Sequence, residues 1–237
     1  MKFLSHTLPP LVAVALAVSA MTTRGEQVWF TQGVSVPVVE GLRSNFSNTC
    51  YTEHGKHFAN EEALNFRWRF ADSWSIGPGV TFSQDHVMTD ASGGEEEMRG
   101  GRHRWRCSKR PTENLSVVWT GGAGEFDFSL TSRFDFYFRE GERDWVQYRN
   151  IASVTVPPVP GMPWTPRPYA MQQVYFTGRE GYDGLGRFCQ FRWFAGLRLR
   201  PTETLSLSAA WQYRQIETSP DEWHSFRVVG ISAKLIF

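Results

Sequence analysis

Residues 124–139 read GEFDFSLTSRFDFYFR. From Phe126 onward every second residue is apolar (Phe126, Phe128, Leu130, Phe134, Phe136, Phe138), with Ser132 the one interruption. Between them lie Asp127, Ser129, Thr131, Arg133, Asp135 and Tyr137. Successive side chains on a strand point to opposite faces, so one face of this segment is hydrocarbon and the other polar. A helix would spread the phenylalanines around its axis, so period two fixes the reading as a strand. Strands in soluble sandwiches run about 5–6 residues, whereas a tilted strand needs about 9–11 to cross a bilayer. This alternation lasts long enough for the bilayer, and the choice between a soluble β-sandwich and a membrane barrel depends on its recurrence.

It recurs. Val28, Phe30, Val34 and Val36 share a face in 27–36, and Leu64, Phe66, Trp68 and Phe70 do so in 63–71. After an Asp72-Ser73 turn, Trp74, Ile76, Val80 and Phe82 return the pattern. Val146, Tyr148, Ala152 and Val154 oppose Gln147, Arg149, Ser153 and Thr155. Segment 169–177 is a weaker strand. Three more follow over 189–200, 205–214 and 229–237, with Cys189 read in phase with Phe191 and Trp193. Counting 102–118 as one strand, the total is ten. A turn at Arg110-Pro111-Thr112 would take Lys109 and Glu113 off the lipid face. Matched by a further strand within the polar segment 37–61, it would make the count twelve. RPTENLSVVW at 110 and RPTETLSLSAAW at 200 are similar, as a hairpin repeat or shared turn chemistry. The six prolines of 157–168 mark a loop.

The N-terminus carries Lys2 and an apolar run, LVAVALAVSA, at 11–20. That is too short to span a bilayer as a helix and has the form of a secretory signal, with cleavage expected after Ala20 or as late as residue 25. The expected organisation is therefore a signal peptide over 1–20 and a single barrel over 26–237. Net charge of +1 and mean hydropathy of −0.37 resemble a soluble protein. A barrel hides from hydropathy because its lumen residues offset its lipid-facing ones. Ten Trp, eighteen Phe and seven Tyr exceed what a soluble domain requires, and aromatic girdles account for them. Cys50, Cys107 and Cys189 form an odd set without metal-ligand spacing, which leaves room for at most one internal disulfide.

The terminal Phe237, preceded by alternating Val229, Ile231, Ala233 and Leu235, resembles the signal by which Gram-negative outer-membrane barrels are recognised for insertion. The second half also resembles an uncharacterised family of bacterial outer-membrane-type β-barrels, a domain of unknown function. The resemblance is carried by FSLTSRFDFYFR, WVQYRN at 145–150, Pro168-Tyr169, FRWFAGLRL at 191–199 and the closing strand, and it covers 124–237. Gln173, where the family pattern has an acidic residue, and the Arg110-Pro111 stretch depart from it. The resemblance implies an all-β, antiparallel transmembrane barrel in the outer membrane, with the barrel assembly machinery and outer-membrane lipid as partners. It implies no chemistry.

The residues themselves argue against an enzyme. His224-Ser225 and Asp85-His86 are sequence neighbours and face opposite ways on a strand, while His54 and His57 lack a helix to align them. No catalytic residue, cofactor or metal is expected. The basic run GRHRWRCSKR at 101–110 fits a solvated ladder or lipopolysaccharide better than nucleic acid in an exported protein. The expected lumen carries Arg67, Arg69, Arg133, Arg149, Arg192, Arg198, Arg200, Arg214 and Lys234 against Asp85, Glu125, Asp127 and Asp135. Nine cations against four acids suit either a plug of ion pairs or a narrow pore preferring small anions. A plugged structural or adhesive barrel, with loops that bind a partner, is the alternative, and a barrel hydrolase ranks last.

Overall fold

The computed structural model describes residues 27–53, 56–89, 102–107, 111–138, 144–162, 164–178, 187–219 and 222–237. For 53, 56–58, 85–89, 102–107, 187, 218–219 and 222 it describes the backbone alone. The candidate signal peptide lies outside the described residues. So do the side chains of His54, His57, Asp85, His86, His103 and Cys107.

Alternation becomes twelve strand segments: β1 (Gln27–Val39), β2 (Leu42–Glu53), β3 (Lys56–Arg69), β4 (Trp74–Thr89), β5 (Arg102–Cys107), β6 (Thr112–Ala123), β7 (Phe126–Tyr137), β8 (Trp145–Thr155), β9 (Arg167–Thr177), β10 (Arg187–Thr202), β11 (Leu205–Ser219) and β12 (Glu222–Ile236). Consecutive strands pair antiparallel into one closed barrel. β5 and β6 are two pieces of one stave, because β4 pairs with β5 through Gln84–Thr89 and with β6 through Trp74–Thr81. Thr81 faces Thr112 and Gln84 faces Cys107, so three steps on β4 oppose five on its neighbour. The chain keeps its direction from β5 to β6, because both pair antiparallel with β4.

Among the described residues the barrel therefore has eleven staves, neither ten nor twelve. Segment 37–61, which reads as a surface loop or as hiding a further strand, contains β2 and the start of β3. The Pro111 stretch, the other half of the twelve-strand expectation, makes no hairpin. An odd number of alternating strands leaves the first and last running the same way. Accordingly β1 and β12 pair in parallel, from Gln27 opposite Val228 to Ser35 opposite Ile236. Gln27 thus lies away from the end where Phe237 finishes, and the two described termini do not share one rim.

Register sets inside and outside. Phe128, Leu130 and Phe134 lie on the outer face with Val154, Ala152 and Tyr148, and Asp135 lies on the inner face with Gln147. Polarity is inverted relative to a soluble protein. Leu130 is 55% exposed, and Phe46, Trp68, Phe82, Trp193 and Trp211 are likewise exposed, whereas Asp135 is 0% and Gln212 1% exposed. Soluble monomers do not display an apolar exterior of this extent around a polar interior. Outward rings form a ladder across β7, β8, β9, β10 and β12: Phe134–Tyr148 (4.8 Å), Tyr148–Phe176 (6.2 Å), Phe176–Phe188 (6.1 Å) and Phe188–Trp223 (5.3 Å). One phase assignment changes. The register slips between Phe188 and Gln190, so Cys189 is a bulge residue and leaves the Phe191–Trp193 face. It is buried, its Sγ donating to the Tyr175 carbonyl (3.6 Å) and accepting from Gln147 Nε2 (3.8 Å).

Candidate functional site in the barrel lumen

The β7–β8 hairpin places Arg133 opposite Arg149 and Asp135 opposite Gln147, all inward. Asp135 is held by both arginines: Arg133 Nε donates to Oδ1 (2.6 Å), and Arg149 donates to Oδ2 from Nε (3.0 Å) and Nη2 (2.6 Å). Charge-assisted bonds of this kind are the strong ones. Arg149 also lies over the Tyr175 ring of β9, 5.2 Å from its centroid, and Tyr175 donates its hydroxyl proton to Gln173 Oε1 (2.6 Å). The amide at 173 is thus the acceptor for the Tyr175 hydroxyl.

Two strands further on, β10 and β11 bring Arg192 opposite Arg214. Both guanidiniums lie over the indole of Trp29 on β1, at 5.4 and 5.8 Å, and Arg192 also lies over Tyr175 at 4.8 Å. With the Gln190 amide turned so that its oxygen faces them, that oxygen accepts from Arg192 Nε, from Arg192 Nη2 (2.7 Å) and from Arg214 Nε (3.0 Å). Trp29 meets Tyr51 edge-on at 5.0 Å, and Tyr51 donates to Glu61 Oε2 (3.3 Å). Trp29, Tyr51, Glu61 and Tyr175 line, with the arginines and Asp135, a lumen cavity of about 330 Å³. Its charged lining is Arg133, Arg149, Arg192 and Arg214 against Glu61 and Asp135.

The other sequence-selected residues lie toward the opposite end. Arg67 and Arg69 border a second cavity of about 450 Å³ together with Arg43, Glu40 and Asp72. Asp127 pairs with Arg167 (2.7 Å), Arg198 lies over the Tyr169 ring (5.2 Å), and Arg200 is exposed. Lys234 donates to Asn45 (3.0 Å). Between the cavities the inward positions on β3 and β4 are Ala63, Asn65, Gly77 and Gly79. A Cβ at Gly79 would collide with the Asn65 carboxamide oxygen and come within 2.8 Å of Asn114 Nδ2. The glycine thus lets these amides pack against the strand backbone. Asn114, Val118, Gln212 and Val228 are all buried, and both polar atoms of Asn114 bond to no protein group.

Of the candidates, Arg133, Asp135, Arg149, Arg192 and Arg214 converge on one cavity, and Arg67, Arg69, Asp127, Arg198, Arg200 and Lys234 do not. Sequence reasoning missed Trp29, Tyr51, Glu61, Tyr175 and Gln190. Glu61 was legible once β3 is extended upward from Ala63, since it then shares parity with Arg67 and Arg69. Among the described residues no group of three His, Cys, Asp or Glu side chains would hold a metal ion.

A family model described as protein of unknown function (DUF2490) matches residues 26–225. The chain belongs to that family. The match is wider than 124–237: it takes in β1 to β6 and ends inside β12. A solved NanC porin structure in a rhombohedral crystal form is similar at 13% identity and a TM-score of 0.47, with 88% of this chain and 98% of that chain covered. No match is found among curated proteins. In this DUF2490 barrel two register-matched arginine pairs line the cavity of about 330 Å³. One is closed by Asp135, and the other meets a neutral amide.

Proposed function

We propose that this barrel resides in the outer membrane of a Gram-negative bacterium, exported by a signal peptide at 1–20. There it acts, without enzymatic activity, as a narrow pore preferring small anions. The carrying observation is the unequal treatment of the lumen arginines: Asp135 bridges Arg133 and Arg149 and offsets one of their two charges, while Arg192 and Arg214 pair with no carboxylate among the described residues. A ring of uncompensated guanidinium in a confined path favours anions. The apolar exterior and aromatic ladder support residence in lipid. Eleven staves fall between the roughly eight that side chains fill and the 16–18 of wide channels, which fits a constricted path for small solutes. Outer-membrane lipid, lipopolysaccharide and the barrel assembly machinery are its proposed partners.

The burial of Asn114, Val118, Gln212 and Val228 midway favours a second reading, a plugged structural or adhesive barrel. Against a dry plug stand the unpartnered amide of Asn114 and the free Nε2 of Gln212, groups that burial penalises unless water reaches them. Planar-bilayer recording under a salt gradient tests the pore. A small conductance with anion-directed reversal potential is expected, weakened by Arg192→Gln. Cation preference would refute the charge argument, and absence of conductance would favour the plug.

A further inference from the structure

We infer that Arg192 and Arg214, backed by Gln190 and seated on Trp29, form a binding site for a small oxyanion, a carboxylate or a phosphate. The site begins with register. Arg192 and Arg214 are direct partners on adjacent strands and both face the lumen, so two cations are held side by side by the β10–β11 ladder. Like charges directly opposite each other are unfavourable unless something negative lies between them. Their shared acceptor is instead the neutral oxygen of Gln190, a residue buried in the wall.

The same lumen shows what a satisfied pair looks like. Arg133 and Arg149 are also direct register partners, and Asp135 supplies an oxygen to each. At Arg192 and Arg214 the chain supplies no such carboxylate among its described residues. A guanidinium has five N–H donors. Two of Arg192's and one of Arg214's are taken by Gln190, and no acceptor among the described residues takes the rest. The indole of Trp29 beneath both heads, and Tyr175 beside Arg192, hold the guanidinium planes by their π faces without cancelling the charge. The donors are thus ordered in advance of a ligand, which reduces the ordering cost of binding.

The cavity sets the size. At about 330 Å³ it lies near the lower edge of the roughly 300–1,000 Å³ range of small-molecule sites. A single small oxyanion fits that space and a polyanionic chain does not. Arg is the residue suited to fork-to-fork recognition of planar or tetrahedral oxyanions. The inference rests on the anion-preferring reading of the lumen, but binding does not require conduction.

The test is isothermal titration of the folded, full-length barrel in detergent with inorganic phosphate. Saturable binding is expected, reduced at least tenfold in the double variant Arg192→Gln, Arg214→Gln. Gln190→Glu should reduce it equally, because it replaces the neutral oxygen behind the pair with a tethered carboxylate that offsets the charge the ligand would meet. Arg227→Gln, an exposed position on the outer face, should bind as the parent does. Heat-modifiable migration checks that each variant is folded. Acetate should compete with phosphate; independent binding of the two overturns a shared site. Parent-like affinity in Gln190→Glu, or in the arginine double variant, overturns the inference, as does a parent that binds no phosphate. Binding without conductance would keep the site and remove the pore. Anion-preferring conductance without binding would do the reverse.

Discussion

Replacing Asp135 by Asn removes a charge while leaving the side-chain shape nearly unchanged, and its cost follows from the three contacts around it. Asp135 accepts from Arg133 Nε at 2.6 Å and from Arg149 Nε and Nη2 at 3.0 and 2.6 Å, and it is wholly buried. Removing one partner of a buried ion pair costs about 3–5 kcal/mol, because the other charge is left uncompensated. Here the arginine side chains are 20% and 18% exposed, so lumen water would take up part of that penalty. Asn also keeps one acceptor. Asp135→Asn is therefore expected to lower the unfolding free energy by about 2–3 kcal/mol. Urea unfolding in lipid vesicles, followed by tryptophan fluorescence, measures it. The double variant with Arg149→Gln should be less destabilised than the sum of the single changes, since it removes one of the two stranded cations. In bilayer recordings Asp135→Asn should also strengthen anion preference, because the lumen gains one positive charge. A stability change below about 0.5 kcal/mol, the range of ordinary surface substitutions, would refute the view that Asp135 organises the lumen.

Three further outcomes follow from the same geometry. Leu130→Arg, on the exposed outer face, should cost about 2–4 kcal/mol in a lipid-embedded barrel, while the neighbouring inward change Ser129→Arg should cost much less; equal costs in vesicle unfolding would argue for a soluble fold. Gly79→Val drives a side chain into Asn65 and Asn114, and should destabilise by about 1–3 kcal/mol and lower any conductance. Deleting Phe237, or changing it to Asp, should impair assembly while leaving export intact, read as surface level and heat-modifiable migration. Arg43→Ala should weaken the same closure after assembly, because Arg43 Nη2 donates to the Phe237 carbonyl at 2.6 Å.

Legibility followed the outward face. Strands β7, β8, β10, β11 and β12 announce themselves because Phe, Leu, Trp and Val occupy nearly every second position. β2 does not, since Ser44, Asn48, Cys50 and Thr52 interrupt its outward row and leave Leu42 and Phe46 as the large apolar residues there. Their polar groups are answered across the strands, with Asn48 donating to Glu62 (3.4 Å) and Cys50 to Asn60 (3.4 Å). That long-range compensation has no signature in local periodicity. The bulge at Cys189 is hidden for a similar reason, because a one-residue slip preserves composition and changes only parity. In the lumen, the identities of Arg133, Asp135, Arg149, Arg192 and Arg214 were readable from alternation. Which arginine faces which carboxylate was not, because that depends on inter-strand register.

The odd stave count bears on how the lumen charge should be counted. A parallel seam is slightly weaker per residue than an antiparallel one, and this barrel reinforces its seam with cationic side chains crossing over β1. Arg43 on β2 donates to Ser35 Oγ (3.2 Å) and to the Ser35 and Phe237 carbonyls (3.3 and 2.6 Å). The Phe237 N–H in turn donates to the Ser35 carbonyl (2.9 Å). Lys234 on β12 reaches Asn45 on β2 by passing over Gly33, where an added Cβ would lie 3.2 Å from the Phe46 carbonyl. Lys234, which reads from sequence as a selectivity residue, is thus committed to holding the seam. Arg133 and Arg149 are committed to Asp135, and Arg198 rests on Tyr169. A surplus of nine cations over four acids therefore overstates the field that a solute meets in the cavity. Within that cavity the arginines with no carboxylate partner among the described residues are Arg192 and Arg214, so substitution there should move selectivity most, while substitution at Lys234 should chiefly move stability.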